Sequence, residues 1–266
     1  MQAINTLISS KFKFNIIGQR TCEKCGASVN IIQTILNGKE QEVSECLNCE
    51  NLAMKEDHEE MIRKAKARKH EIVFEKYSLI PQDLLNSTFD NYDPGNKSTE
   101  TAKKKCVWYA EHFDTLDKNS LLLQGSYGVG KSHLSYAIAK YLKDKGKVVI
   151  FITMPELLNV LRDSYSKSDY SEIDILDACK NCDLLILDDL GAEYVKNDNG
   201  KESWAVDKIF TIINSRVDKP TIFTTNYKSD ELSKKYGNHG GRIVSRMMNG
   251  TNVIKIDADD YRLKGW

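Results

Sequence analysis

Two groups of residues in this chain have the types and spacing for chemistry. Cys22-x2-Cys25 and Cys46-x2-Cys49 are two CxxC knuckles separated by twenty residues. Each knuckle offers two thiolates from one tight turn, and together they complete a tetrahedral four-sulfur zinc site. With every position filled by protein, such a zinc is structural and not catalytic. The second group opens with Gly125-Ser126-Tyr127-Gly128-Val129-Gly130-Lys131-Ser132, a G-x4-G-K-S loop. Its glycines let backbone N–H groups converge on phosphate oxygens, Lys131 reaches the β- and γ-phosphates, and the Ser132 hydroxyl ligates Mg²⁺. His133, next in the chain, reads as a polar or packing neighbour of that loop and not as a metal ligand. Further on, CDLLILDDLG ends in Asp188-Asp189, with Asp188 facing the metal and Asp189 activating water. Asn226 closes PTIFTTN and is placed to orient that water. Arg242 and Arg246, four apart in GGRIVSRMMNG, share one helix face and suit an arginine finger given to a neighbour's nucleotide.

These residues need a scaffold, and the pattern around them supplies one. LLLQG (121–125) is a buried strand, and HLSYAIAKYLKDK (133–145) is the amphipathic helix after the loop. VVIFIT, CDLLILDDLG and PTIFTTN are further apolar strands, alternating with helices as in a parallel α/β sheet. Thr153-Met154-Pro155-Glu156 opens one of those helices as a capping box. Around the first knuckles, SVNIIQTIL and EQEVSE read as two strands joined at Asn37-Gly38, a type I′ hairpin signal. Residues 50–77 form a charged helical pattern with an imperfect stripe of Leu52, Met61, Ile62, Ala65, Ile72 and Val73. Arg63, Lys64, Lys66, Arg68 and Lys69 follow one another there with no acid between them, on what reads as a solvated linker helix. The expected organisation is a zinc-ribbon-like β module at 1–50, a helical linker at 51–84 and an α/β P-loop domain at 85–266.

Composition narrows the setting. The 266 residues carry 38 Lys+Arg against 38 Asp+Glu, so net charge alone attracts no nucleic acid, and any such binding needs a local surface. No apolar run approaches the ~18 residues needed to cross a bilayer, and the N-terminus lacks a secretory pattern. Seven cysteines, an odd number, suit a reducing compartment, and the expected location is cytoplasmic. Cys179 and Cys182 flank the Asp188 strand with no second knuckle nearby and read as core residues. Cys106 has no assignment.

GSYGVGKSHLSYAIAKYL, LLILDDLG, IFTTN and GGRIVSRM, in that order, resemble the DnaC/DnaI family of bacterial replicative helicase loaders, AAA+ ATPases of the initiator clade. The resemblance covers residues 85–262. It implies an ATPase that binds ATP and Mg²⁺ through Gly125 to Ser132 (Walker A), Asp188 and Asp189 (Walker B) and Asn226 (sensor 1). It also implies self-association, with Arg246, or alternatively Arg242, acting in trans. The zinc module resembles those of DnaI-type and phage-encoded loaders, in which the N-terminal domain grips a DnaB-type hexameric helicase. By the same resemblance Phe89 or Tyr92 lies near the adenine. The helix from Pro155 to Ser166, with Arg162, Tyr165 and Lys167, falls in the insertion that touches single-stranded DNA. The alternatives are an IstB-like transposition ATPase, of which a zinc module is not expected, and a weakly hydrolysing nucleotide-gated adaptor. Two features depart from most AAA+ chains. Asp189 stands where Glu is usual, which implies slow turnover that rises with DNA or helicase; Glu193 substitutes only if its loop folds back. The chain also stops soon after NVIKID, leaving no room for a helical lid or its arginine.

Overall fold

The structure is a computed structural model, and it describes residues 14–36, 39–117, 119–166, 171–195 and 203–263. The chain divides into two compact units, 1–67 and 68–266. In the first, β1 (Phe14–Thr21), β2 (Ser28–Leu36) and β3 (Lys39–Val43) form an antiparallel sheet in that order. The expected β2 spans SVNIIQTIL, whereas β1 was not foreseen: FNIIGQRT lacks clean alternation, and its register with β2 shifts between Ile16 and Gly18. Asn37 and Gly38, the expected hairpin turn, lie outside the described residues. Helix α1 (Leu47–Ala67) starts inside the second knuckle, so Cys49 sits in its first turn. Its Leu52, Met61 and Ile62 are exposed.

The helical segment expected as one linker belongs to both units. Helix α2 (Lys69–Tyr77) is part of the second, where Phe74 is buried and Val73 and Tyr77 pack against the core. Just beyond it, Leu79 donates its N–H to the Phe151 carbonyl at 3.0 Å, and Ser78 Oγ accepts from Phe151 N at 3.0 Å. Apolar burial and these backbone bonds hold residues 69–79 to the sheet edge, where solvation had been expected.

The second unit is built on β4 (Ser120–Gly125), β5 (Val149–Thr153), β6 (Leu184–Asp188), β7 (Thr221–Thr225) and β8 (Thr251–Ile256). They pair in the order β5-β6-β7-β4-β8, all parallel. β6 and β7 are buried along their whole length, which explains their near-continuous apolar sequences. Helices cover both faces: α3 (Lys97–Glu111) and α4 (Lys131–Asp144) pack with one core cluster. α5 (Met154–Asp163), α6 (Glu172–Asn181), α7 (Trp204–Ser215), α8 (Ser229–Lys235) and α9 (Gly240–Met248) pack with the other. Thr153 caps α5 as expected, its hydroxyl accepting from Glu156 N at 3.3 Å. Cys106, Cys179 and Cys182 are buried, and burial pushes their thiols up to about 12, 12 and 11. All three are neutral core residues, which also gives Cys106 its role.

Buried Arg216 fastens α6 to the start of β7. It donates to the carbonyls of Lys180 (3.1 Å), Cys182 (2.8 Å) and Pro220, and to Thr221 Oγ1 (3.3 Å). Arg216→Met leaves those acceptors unpaired and should cost about 2–4 kcal/mol in denaturant unfolding of the second unit.

Candidate functional site

All five parallel strands end at one edge of the sheet, and the register there brings the predicted residues together. Thr153 lies beside Asp188, and Gln124 lies beside Thr225, one residue before Asn226. The loop after β4 folds around Gly128 (φ 68°) and Gly130 (φ 86°), both in the left-handed region. A Cβ on Gly130 would lie 2.6 Å from the Tyr92 ring. The Tyr92 hydroxyl donates to the Val129 carbonyl at 3.3 Å, its ring meets His133 edge-on at 5.1 Å, and His133 Nε2 lies 2.8 Å from the Thr88 carbonyl. Tyr92 and His133 therefore brace the loop while themselves lining the cavity beside it. Phe89 packs edge-on against Tyr141 at 6.3 Å and is absent from the cavity lining, whereas Tyr92 lines it.

The cavity in front of the loop has a volume of about 510 Å³ and includes Tyr127, Gly128, Val129, Gly130, Lys131 and Ser132 in its walls. Lys131 is buried, and its Nζ donates to the carbonyls of Gly125 (3.0 Å) and Ser126 (2.7 Å) and to Asn226 Oδ1 (2.6 Å). Burial lowers its pKa, against the opposing pull of Asp189 and Asp188. Asp188 is 1% exposed. Burial first, and then the Asp189 charge, push its carboxyl up to about 6, against hydrogen bonds from Thr224 Oγ1 (2.7 Å) and the Ser132 hydroxyl. A hydroxyl beside a buried, costly carboxylate is a donor set that fits Mg²⁺. Asp189 lines the cavity in a left-handed conformation (φ 53°), with its N–H donating to Thr224 Oγ1 at 2.8 Å.

Two expectations change. Glu193 is buried away from the cavity, its Oε2 accepting from Gly191 N at 3.0 Å, so it does not stand in for Asp189. The cavity does contain an arginine. Residues after β8 strap across the loop: Tyr261 N donates to the Gly128 carbonyl (3.0 Å) and Ser126 Oγ to the Ala258 carbonyl (3.3 Å). Arg262 on this strap lines the cavity, 3.7 Å from Asp83. No spacing in the sequence signalled it. On α9, Ile243 and Met247 are buried while Arg242 and Arg246 are exposed and outside the cavity of their own chain.

On α5, Arg162 places its guanidinium 5.3 Å from the centre of the Trp204 ring, and Tyr165, 62% exposed, meets the same ring edge-on at 6.3 Å. Trp204 was not singled out by sequence, because it lies 42 positions from Arg162 and only the fold joins them. Lys167 lies outside the described residues.

The sulfurs of Cys22, Cys25, Cys46 and Cys49 all lie within 4.8 Å of one another. Cys22–Cys49 and Cys25–Cys46 are 3.7 and 3.5 Å apart. Tetrahedral coordination at a Zn–S distance of about 2.3 Å sets sulfurs about 3.8 Å apart. Backbone N–H donation from Ala27 holds Cys25 down to about 6, that from Cys25 lowers Cys22, and the Cys25 and Cys22 sulfurs push Cys49 up to about 12. Four sulfurs this close to one another can all face one ion, and the set fits Zn²⁺.

The model of the IstB-like ATP binding protein family matches residues 33–265. The chain belongs to that family. Among its relatives, the replicative helicase loader DnaC of Escherichia coli K12 is 29% identical over 201 residues, covering 75% of this chain and 78% of that protein. The replicative helicase loader DnaI of Bacillus subtilis is 28% identical over 213 residues, covering 75% and 66%. A crystal structure of the DnaC helicase loader superposes with a TM-score of 0.56 at 26% identity, covering 66% of this chain and 99% of the other. This IstB-like chain therefore has the AAA+ fold expected of it, resembles helicase loaders, and carries a four-cysteine module besides.

Two outcomes test the sites. Chelation of the metal should release residues 14–67 to rapid amide exchange while the second unit keeps its protection; metal analysis should find one zinc per chain. Asp188→Asn removes a buried charge whose pKa is raised on folding, a group that weakens the fold as pH rises above its unfolded value. At pH 7.5 the metal-free variant should be more stable than wild type by about 1–3 kcal/mol, yet lose Mg²⁺-dependent nucleotide binding.

Proposed function

We propose that this protein is an ATP-dependent loader for a DnaB-type hexameric replicative helicase. The observation that carries the reading is the pairing, on one chain, of a four-thiolate module with an AAA+ unit similar to DnaC and DnaI. In this reading the zinc module expected at 1–50 docks on the helicase, the rest of α1 is the helical connection in place of 51–84, and the ATPase expected at 85–266 also takes in α2. The protein acts in the cytoplasm.

Gly125 to Ser132 and His133 form the cradle of ATP. Lys131 exchanges its bond to Asn226 for the β- and γ-phosphates, which frees the Asn226 amide to orient water. Ser132 and Asp188 hold Mg²⁺, which when bound neutralises phosphate charge. Asp189, the shorter acid, accepts the proton of the attacking water, and turnover is slow until partner or DNA orders the site. Arg246 completes a neighbour's site in trans, with Arg242 as the alternative. A self-associated array of these units then holds single-stranded DNA, with Arg162 and Tyr165 supplying charge and stacking.

The family description favours one second reading, an IstB-like helper that remodels duplex DNA for a transposase. A helicase assay separates them. With a DnaB-type helicase and an oligonucleotide annealed to closed circular single-stranded DNA, the full chain with ATP should raise strand displacement at least tenfold. Lys131→Ala should abolish that gain while still capturing helicase in a pull-down, and Cys49→Ser should lose the pull-down while still binding ATP. Unchanged displacement with and without the wild-type chain would contradict the loader reading.

A further inference from the structure

Asp189 holds a backbone conformation that few side chains accept. Among the described residues, two other than glycine have positive φ, Asp189 (53°) and Asp218 (62°), and both are aspartates. Asp218 lies in an exposed turn before β7, whereas Asp189 is half-buried, follows the last residue of β6 and lines the nucleotide cavity. Asp and Asn occupy the left-handed region several-fold more often than most residues, because a short polar side chain can hydrogen-bond locally. A residue kept in such a conformation needs surroundings that hold it there.

Those surroundings converge on β7. The Thr224 hydroxyl accepts from Asp189 N at 2.8 Å and donates its one hydrogen to Asp188 Oδ1 at 2.7 Å, so a single oxygen joins both acids. The next residue is tied to the same strand: Leu190 N donates to the Thr224 carbonyl at 2.8 Å, and the Thr225 hydroxyl donates to the Leu190 carbonyl at 2.6 Å. Ala192 N closes the turn on the Asp189 carbonyl at 2.9 Å. Thr224 is buried, so removing its hydroxyl leaves the Asp189 N–H unpaired and takes away the bond that pins residue 189. Relaxed into extended backbone, residues 188 and 189 would alternate to opposite faces of the sheet.

We propose that Thr224 is a positioning residue that fixes the left-handed backbone of Asp189, and that this conformation is what selects Asp over the longer Glu as the base. The proposal rests on the reading that the cavity hydrolyses Mg²⁺·ATP. In the step it serves, the water oxygen bonds to the γ-phosphorus, the bond from phosphorus to the bridging oxygen breaks with its electron pair staying on ADP, and the Asp189 carboxylate takes the water's proton. The shorter acid is then the fitted one, and lengthening it costs activity.

The test is single-turnover phosphate release by the full-length protein with ATP, Mg²⁺ and single-stranded DNA, alongside a fluorescence titration of a non-hydrolysable ATP analogue. Asp189→Glu should release phosphate at least fivefold more slowly than wild type. Thr224→Val, nearly the same shape, should slow release at least tenfold while binding the analogue within threefold of wild-type affinity, and Thr224→Ser should recover most of the loss. In an Asp189→Asn background, adding Thr224→Val should change the residual rate less than twofold, because the residue it positions is gone. The proposal is overturned if Asp189→Glu is as fast as wild type or faster, if Thr224→Val keeps the wild-type rate, or if it slows Asp189→Asn as much as it slows wild type, which would make it act through Asp188. Wild type that binds the analogue but releases no phosphate overturns this proposal and leaves the binding reading standing. Wild type that binds no analogue removes the nucleotide reading itself, and this proposal with it.

Discussion

Burial of the Asp188 carboxyl at the end of β6 is the constraint on which the site depends. A carboxylate 1% exposed has lost its water, and what faces it must compensate. Thr224 on the adjacent strand donates one hydrogen bond, Ser132 at the start of α4 another, and Lys131 and Asp189 set the local charge. Lys131 and Ser132 open α4, Thr224 lies on β7 and Asp189 follows β6, and only the parallel order β6-β7-β4 puts all three strand ends beside one another. The glycine-rich loop is held to the same edge by other parts of the chain: Tyr92 and His133 beside it, and the strap of residues 258–262 across it.

The same logic explains the zinc module. Three short strands with Ile16 and Ile35 exposed bury too little to hold themselves, and the Cys25 and Cys22 sulfurs push the Cys49 thiol up. A bound cation favours the thiolate form of all four and ties the β1–β2 turn to the first turn of α1. The metal's coordination energy is folding energy there.

Much of this was readable in the residues. The G-x4-G-K-S loop, the acids ending an apolar strand and Asn226 ending another are local signals, because short runs fix both the strand and the residue at its tip. The CxxC spacing was equally local. What escaped was set by the fold alone. Arg262 reaches the cavity through a turn of the C-terminal strap that has no periodic signature. Trp204 meets Arg162 across two helices. Glu193 looked like a spare catalytic acid because its distance from Asp189 is short in sequence, but Gly191 turns it into the core. Residues 69–77 looked like part of a free linker because their core-facing apolar residues, Val73 and Phe74, are too few to register as a core face.

The central claim is that Lys131, Ser132, Asp188 and Asn226 form one Mg²⁺·ATP site. Calorimetric titration of the full-length protein with ATP in the presence of Mg²⁺ tests it most directly. The account predicts one site per chain for wild type and no measurable binding for Lys131→Ala at the same concentrations. Wild-type protein that takes up no ATP, or a Lys131→Ala variant that binds it as tightly as wild type, would contradict the claim.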